Sequence, residues 1–334
     1  MKRGFKLQRE AKEWEQEYLV KQSAQPSMTF HSLAELYLED QKAHKKSSTY
    51  YSVRNIVINR IDPYFKNKPV NEITPADIRK WQADLKDART TTGTPLSDGY
   101  MRECVVKMSC IMNYAVKFYG LASNPCKIAG NTIKKTVRRI DFWTQEEFNT
   151  FIRSFDTTSL YYMVFMTLYY TGIRIGELLA LTASDVDLEE NTITINKTLP
   201  HNGSDRTATP PKTMKSNRTI SIPLFLTAAM SDHMKRFYAI QPDTRLFPIT
   251  ARSCSYQLDE HSRTCNIKRI RLHDLRHSHA SLLIDMGFSP VLIAERLGHE
   301  DVSTTLNIYA HLYPSRQKEV ADRLEALYVQ NGSS

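Results

Sequence analysis

The sequence predicts a mainly α-helical protein of two units, with one small antiparallel sheet in the second. Three observations carry that prediction. Apolar residues recur at helical spacing over most of residues 28–120. The pair Asn124-Pro125 and the basic run Lys134-Lys-Thr-Val-Arg-Arg139 then break the pattern before a second periodic segment begins. In that second segment only Thr192-Ile-Thr-Ile-Asn196 and Arg218-Thr-Ile-Ser-Ile222 alternate as strands do. A chain of 334 residues is too long for one small core and suits two.

Taken in order, residues 1–21 are dense in charge, and 6–19 read as an amphipathic helix. Ser23-Ala-Gln-Pro-Ser27 is a linker, after which Thr29 caps a new helix. Helices are expected over 30–43, 48–61, 74–88 and 97–119, the third opened by Thr74 as cap with Pro75 behind it. The polar tract Thr90-Thr-Thr-Gly-Thr-Pro95 is a loop, so 28–120 form a bundle of four or five helices. Thr144-Gln-Glu-Glu147 has capping-box form and opens the second unit. Helices over 160–171 and 175–181 follow, then the two strands around a long polar hairpin. Further helices are expected from about 227, 273, 289 and 303, and over 315–328. No internal repeat is evident.

Lys and Arg outnumber Asp and Glu by 45 to 36, and the resulting +9 favours a polyanionic partner, because positive surface releases counterions on meeting phosphate. The five cysteines are odd in number and lack CxxC spacing, so they read as reduced residues of an intracellular protein. The N-terminus has no apolar signal-peptide stretch. Residues 160–173 are uncharged but too short to span a bilayer, which makes them a buried core helix. These readings place the protein in the cytoplasm, with no membrane partner.

Chemistry concentrates in three segments: Thr171-Gly-Ile-Arg-Ile-Gly-Glu177, Arg271-Leu-His-Asp-Leu-Arg-His-Ser-His279, and Leu297-Gly-His-Glu-Asp-Val-Ser-Thr-Thr-Leu-Asn-Ile-Tyr-Ala-His311. Arg174 and Glu177 are three apart and share a helix face, as are His273 and Arg276. Arg174 emerges from a very hydrophobic helix, and a buried arginine needs an anion. Gly298 suggests a helix end that exposes His299. Tyr309 lies ten residues beyond His299 and Tyr313 four residues further on, and as two of 17 tyrosines each by itself reads as packing. Two arginines can grip a phosphate, imidazoles can move protons, and a phenol can attack phosphorus.

The order and spacing of these segments resemble the tyrosine recombinases of the lambda-integrase family, most like integrases of Gram-positive conjugative transposons and phages. The resemblance covers residues 28 to about 330 and is strongest over 171–177 and 271–311. It implies a helical core-binding, SAM-like DNA-binding domain over 28–122, a basic linker over 123–142, and a catalytic domain over 143–334 ending in a C-terminal exchange helix. Residues 1–22 resemble the end of a small arm-binding domain, so the chain either lacks that domain or is a fragment without it; a solvated leader helix is the plainer alternative.

By the same resemblance Arg174 and Arg276 hold the phosphate, Glu177 holds Arg174, and His273 assists proton transfer or bonds a phosphate oxygen. His299 buttresses the phosphate and Tyr309 attacks it, giving a 3′-phosphotyrosyl link. The leaving 5′-oxygen takes a proton from a hairpin lysine, here Lys212, with Lys215 the alternative and Lys197 a weaker candidate. Lys134, Lys135, Arg138 and Arg139 are expected along the DNA backbone. The implied reaction is strand exchange that integrates or excises a mobile element, without metal, ATP or other cofactor. Double-stranded attachment sites are its substrate, and a homotetramer on two duplexes passing through a Holliday junction is its working form. An excisionase and a host DNA-bending protein would suit it as accessory partners. A chromosome-dimer or plasmid resolvase of the same family is the alternative, and a type IB topoisomerase would share the chemistry. His273-Asp-Leu-Arg-His277 also permits a metallohydrolase, which ignores Arg174 and Tyr309. A DNA-binding protein without catalysis explains the charge but not the ordered site set.

Overall fold

The computed structural model describes residues 27–135, 141–200, 208–209 and 214–310. Contacts divide the chain into two units, with Arg138 the last residue of the first and Arg139 the first of the second. The expected leader helix over 6–19, the last helix over 315–328, Arg138, Arg139, Lys212 and Tyr313 lie outside the described residues. Among those described, no helix is long and apolar enough to cross a membrane.

The first unit is built from α1 (Phe30–His44), α2 (Ser47–Ile56), α3 (Pro75–Asp87), α4 (Asp98–Phe118) and a short α5 (Pro125–Ala129). Helix α2 runs on through a π turn over Val57–Ile61 into a turn of helix at Asp62–Phe65. The caps are the ones the sequence offers. Thr29 accepts from Ser32 N, Ser97 accepts from Tyr100 N, and Thr74 and Asp77 form a reciprocal capping box behind Pro75. Phe30, Leu33, Phe65, Trp81, Met108 and Met112 make the centre of the core.

This bundle reaches further than Asn124-Pro125 suggests. Cys126, Ala129 and Ile133 are buried in the same core. The side chain of buried Gln82 donates to Gly130 O at 2.8 Å and accepts from the amide and hydroxyl of Thr132 at 2.8 and 2.7 Å. Residues 125–133, expected as the start of the linker, are therefore pinned to α3 by a buried amide that needs partners. Lys134 and Lys135 follow as exposed residues.

The second unit comprises α6 (Gln145–Ile152), α7 (Leu160–Thr171), α8 (Ile175–Ala180), β1 (Val186–Asp187), β2 (Thr192–Ile195), β3 (Arg218–Ser221), α9 (Leu224–Met234), α10 (Ala251–Thr264), α11 (Asp274–Asp285), α12 (Pro290–Leu297) and α13 (Val302–Tyr309). The strands form an antiparallel sheet in the order β1-β2-β3, with Ile193 paired to Ile220 and Ile195 to Arg218. Helix α7 runs through the core, and most of its residues are buried whichever way they point. Its threonines are satisfied within the helix, Thr167 donating to Met163 O at 2.7 Å and Thr171 to Thr167 O at 2.5 Å.

Several boundaries differ from the sequence reading for physical reasons. Helix α9 begins at Leu224, directly after Pro223, and α13 is capped by Asp301, whose carboxylate accepts from Ser303 N at 2.8 Å. The strand β1 and helix α10 were not expected. The buried stripe of α10 is only Cys254, Leu258 and Ser262, too thin to register as a hydrophobic period.

Candidate active site

Gly172 creates the first half of the site. It ends α7 in the left-handed region at φ +66°, and a Cβ there would lie 2.5 Å from His279 Cδ2 and 2.7 Å from Leu297 Cδ2. Only glycine meets both demands. The chain turns at once into Arg174, which caps α8: Glu177 takes the Arg174 amide at 3.0 Å and its Nη1 at 2.8 Å. The Arg174 side chain is 37% exposed whereas that of Glu177 is 3% exposed, so the carboxylate is a buried anchor and the guanidinium faces outward from it.

Glu177 has a second cation. Arg218, at the start of β3, reaches Glu177 Oε2 through Nη2 at 3.1 Å, and donates to Arg296 O at 2.8 Å and Ser216 O at 3.1 Å. Burial would raise the Glu177 carboxyl, but Arg218 and Arg174 outweigh it and hold it below the ordinary carboxylate range. The sequence reading placed Arg218 only at the start of a strand and gave it no part in the site. The available signal was parity: Arg218 lies on the same strand face as Ile220, which is buried against the core.

Arg276 lies on the first turn of α11 and is 3% exposed. It donates from Nη1 to Gly172 O at 2.9 Å and from Nη2 to Leu297 O at 2.7 Å. Those acceptors are the carbonyl of the turn after α7 and that of the last residue of α12, so Arg276 ties three elements together. Burial, then Arg174, pushes its pKa down to about 9. It remains a cation at neutral pH, held by carbonyl dipoles with no carboxylate hydrogen bond among the described residues, and it would gain by meeting an anion.

His273 precedes α11 at the N-cap position and stays exposed, while desolvation by its surroundings, with Arg276 and Arg174 next, lowers its pKa. Arg271 and Asp274 fix that entry: the guanidinium donates to both carboxylate oxygens at 2.9 and 2.6 Å. His299 follows Gly298, which is left-handed at φ +68°, and its Nδ1 shares a 2.7 Å hydrogen bond with Thr305 Oγ1. Burial, Arg276, Arg174 and Arg218 push His299 down to about 4, so it is a neutral ring close to all three arginines.

Tyr309 ends α13 and is 1% exposed, packed with Ala280, Leu283, Ile284, Ile293 and Leu297. Burial raises its phenol above the usual range, with Arg276 opposing. Its hydroxyl lies 2.6 Å from His277 Nδ1. The sequence reading considered His277 only as a metal ligand, yet its position one turn after His273 was the signal that it shares this face.

The structure thus brings Arg174, Glu177, His273, Arg276, His299 and Tyr309 into one neighbourhood, and adds Arg218 and His277. Lys215 is exposed on the hairpin and donates to Glu300 O at 2.8 Å. Lys197 is tied to Asp185 at 2.7 Å and Thr182 at 3.0 Å, which explains it as a structural cation. Among the described residues no three His, Cys, Asp or Glu side chains converge as metal ligands would. The metallohydrolase alternative is not favoured, because His277 Nδ1 faces the Tyr309 phenol.

A helical bundle followed by an α-rich domain with a small sheet, carrying paired arginines, histidines and a buried tyrosine, is the arrangement of tyrosine recombinases. Comparison with known proteins agrees, and the chain belongs to the phage integrase family: the profile described as "Phage integrase family" matches residues 141–316, and "Phage integrase, N-terminal SAM-like domain" matches residues 29–86. It is 31% identical over 318 residues to the ICEBs1 integrase of Bacillus subtilis (strain 168), covering 90% of this chain and 84% of that protein. It is 26% identical to the integrase of Staphylococcus phage L54a, over 90% of this chain and 94% of that one. Its fold matches the Tn1549 transposon integrase in complex with a circular intermediate DNA at TM-score 0.70 and 20% identity, covering 90% of this chain and 100% of that one. The lambda integrase tetramer bound to a Holliday junction matches at TM-score 0.64 and 16% identity, over 90% and 81%. The enzyme is a tyrosine recombinase, and its reaction is site-specific DNA recombination.

Proposed function

We propose that this enzyme integrates and excises a mobile element by transferring one DNA strand at a time onto Tyr309. The carrying observation is Arg276: a buried guanidinium with no carboxylate hydrogen bond among the described residues, fixed by two backbone carbonyls beside the tyrosine. Such a group is preorganised for an anion whose charge grows during reaction, and a pentacovalent phosphorane is that anion. Arg174, oriented by Glu177, supplies the second cation on the non-bridging oxygens. His299 and His273 contribute hydrogen bonds to the phosphate.

The attack forms the bond from Tyr309 O to phosphorus and breaks the bond to the 5′-oxygen, which takes a proton from Lys212 or Lys215. A partner strand's 5′-hydroxyl then reverses the step on the phosphotyrosyl link, so bond energy is conserved across the exchange. The first unit and the exposed Lys134 and Lys135, with Arg138 and Arg139, hold the duplex through phosphate contacts. Strand exchange needs two duplexes, for which a homotetramer exchanging C-terminal segments is the fitting assembly, with an excisionase and a host DNA-bending protein as accessory partners. The relatives' names, the ICEBs1 integrase and the integrase of Staphylococcus phage L54a, support a mobile-element role over dimer resolution.

The test is covalent trapping on nicked suicide duplexes from the flanks of the protein's own gene, in EDTA, beside Tyr309→Phe. A denaturation-resistant adduct lost in the variant is expected. An adduct that persists would move the nucleophile elsewhere, with Tyr313 next.

A further inference from the structure

Every cleavage by a tyrosine must dispose of the phenolic proton, and here that phenol is buried and hydrogen-bonded to a side chain the reading above leaves without a task. We propose that His277 is the proton acceptor for Tyr309: it takes the phenolic proton as the oxygen attacks phosphorus and returns it when the strand is rejoined. The proposal rests on Tyr309 being the nucleophile.

The geometry is specific. Tyr309 O and His277 Nδ1 are 2.6 Å apart, between a buried tyrosine on α13 and a buried histidine on α11. The groups acting on the ring come from each neighbouring element: His273, Asp274, Arg276 and Arg271 in and before α11, Tyr309 on α13, and His299 after α12. Burial first, then His273, hold the imidazole down at about 4 against the opposing pull of Asp274. A neutral imidazole carries its proton on one nitrogen and a lone pair on the other. The proposed transfer uses the tautomer with the proton on Nε2, in which Nδ1 accepts from the Tyr309 O–H.

Three features separate this histidine from its neighbours. His299 spends Nδ1 on the Thr305 hydroxyl. His273 is exposed, with its ring centre 5.2 Å from that of His277, and has no hydrogen bond to the phenol among the described contacts. His277 adjoins Arg276 on the same helix, so acceptor and phosphate clamp are held on one rigid element. Burial also keeps Tyr309 protonated in the free enzyme, which makes an adjacent acceptor necessary.

The step balances. The Tyr309 O–P bond forms, the P–O5′ bond breaks with its electron pair on the 5′-oxygen, and that oxygen takes the hairpin lysine's proton. The phenolic proton passes to Nδ1, leaving an imidazolium beside the more negative phosphorane. On rejoining, the incoming 5′-hydroxyl returns its proton to the lysine, and the departing Tyr309 oxygen recovers its own from His277.

The experiment is single-turnover cleavage of nicked suicide duplex by the full chain and by His277→Gln, His277→Ala and Tyr309→Phe, with DNA binding by gel shift. Glutamine keeps an acceptor for the hydrogen bond but cannot carry the proton. Both His277 variants should cleave on the order of 10²–10⁴-fold more slowly at unchanged DNA affinity. Their rates should climb with pH by about tenfold per unit while the parent stays flat above neutrality. Added imidazole should restore His277→Ala, which keeps the test decisive if glutamine packs poorly. A duplex with sulfur in place of the 5′-bridging oxygen, whose departure needs no proton, should rescue lysine variants and leave the His277 variants slow. Cleavage by His277→Gln within about threefold of the parent, or its rescue by the sulfur substrate, overturns the proposal. An adduct persisting in Tyr309→Phe overturns the nucleophile assignment instead.

Discussion

Replacing Arg218 with methionine isolates the buried ion cluster that supports Arg174. In the native fold Glu177 is a buried carboxylate shared by Arg174 and Arg218. Arg218→Met keeps most of the side-chain volume but removes one cation and two donors, to Arg296 O and Ser216 O. Removing one partner of a buried pair costs about 3–5 kcal/mol, because the remaining charge stays desolvated. For a domain of this size that corresponds to a fall in Tm of roughly 6–20 °C. The pH dependence gives a second handle. Glu177 is held below its unfolded pKa, so its contribution is present above the unfolded carboxylate range and fades as pH falls through the folded value. Without Arg218 the depression shrinks, and the gap between parent and variant should narrow toward pH 4. Urea unfolding at pH 7.5 and pH 4, with Glu177→Gln and the double variant completing a cycle, measures both effects. A loss under about 1 kcal/mol at pH 7.5, or a gap unchanged at pH 4, refutes the account of Glu177 as a carboxylate dependent on two cations.

Further outcomes follow from individual contacts. Arg276→Lys cannot reach both Gly172 O and Leu297 O, and should lower single-turnover cleavage by about 10²–10³-fold while gel-shift affinity changes little. Gly172→Ala places a Cβ 2.5 Å from His279 at positive φ, and should cost at least about 2 kcal/mol in urea unfolding. Lys197→Ala breaks the ties to Asp185 and Thr182, so it should lower thermal stability yet leave adduct formation near the parental rate. Equal loss of cleavage in Lys197→Ala and in a hairpin-lysine variant would contradict the structural role given to Lys197.

Local rules made much of this protein legible in its sequence. Helices α1 to α4, α7 and α8 follow from apolar spacing and from caps such as Thr29, Thr74 and Ser97, because those signals act within a few residues. The spacing of Thr171 to Glu177, His273 to Arg276 and His299 to Tyr309 marked the site for the same reason: each short segment carries its own chemistry. Tertiary structure decided what depends on chain brought from far away. Gln82 claims residues 130–132 for the first unit across a gap in sequence, and α10 forms although its buried stripe is only Cys254, Leu258 and Ser262. Arg218 becomes Glu177's partner and His277 becomes Tyr309's only when β3 meets α8 and α13 meets α11. A pattern of residues shows which side chains can carry charge or protons. Which of them is desolvated, and against what, depends on long-range packing that fixes the energy of every buried polar group.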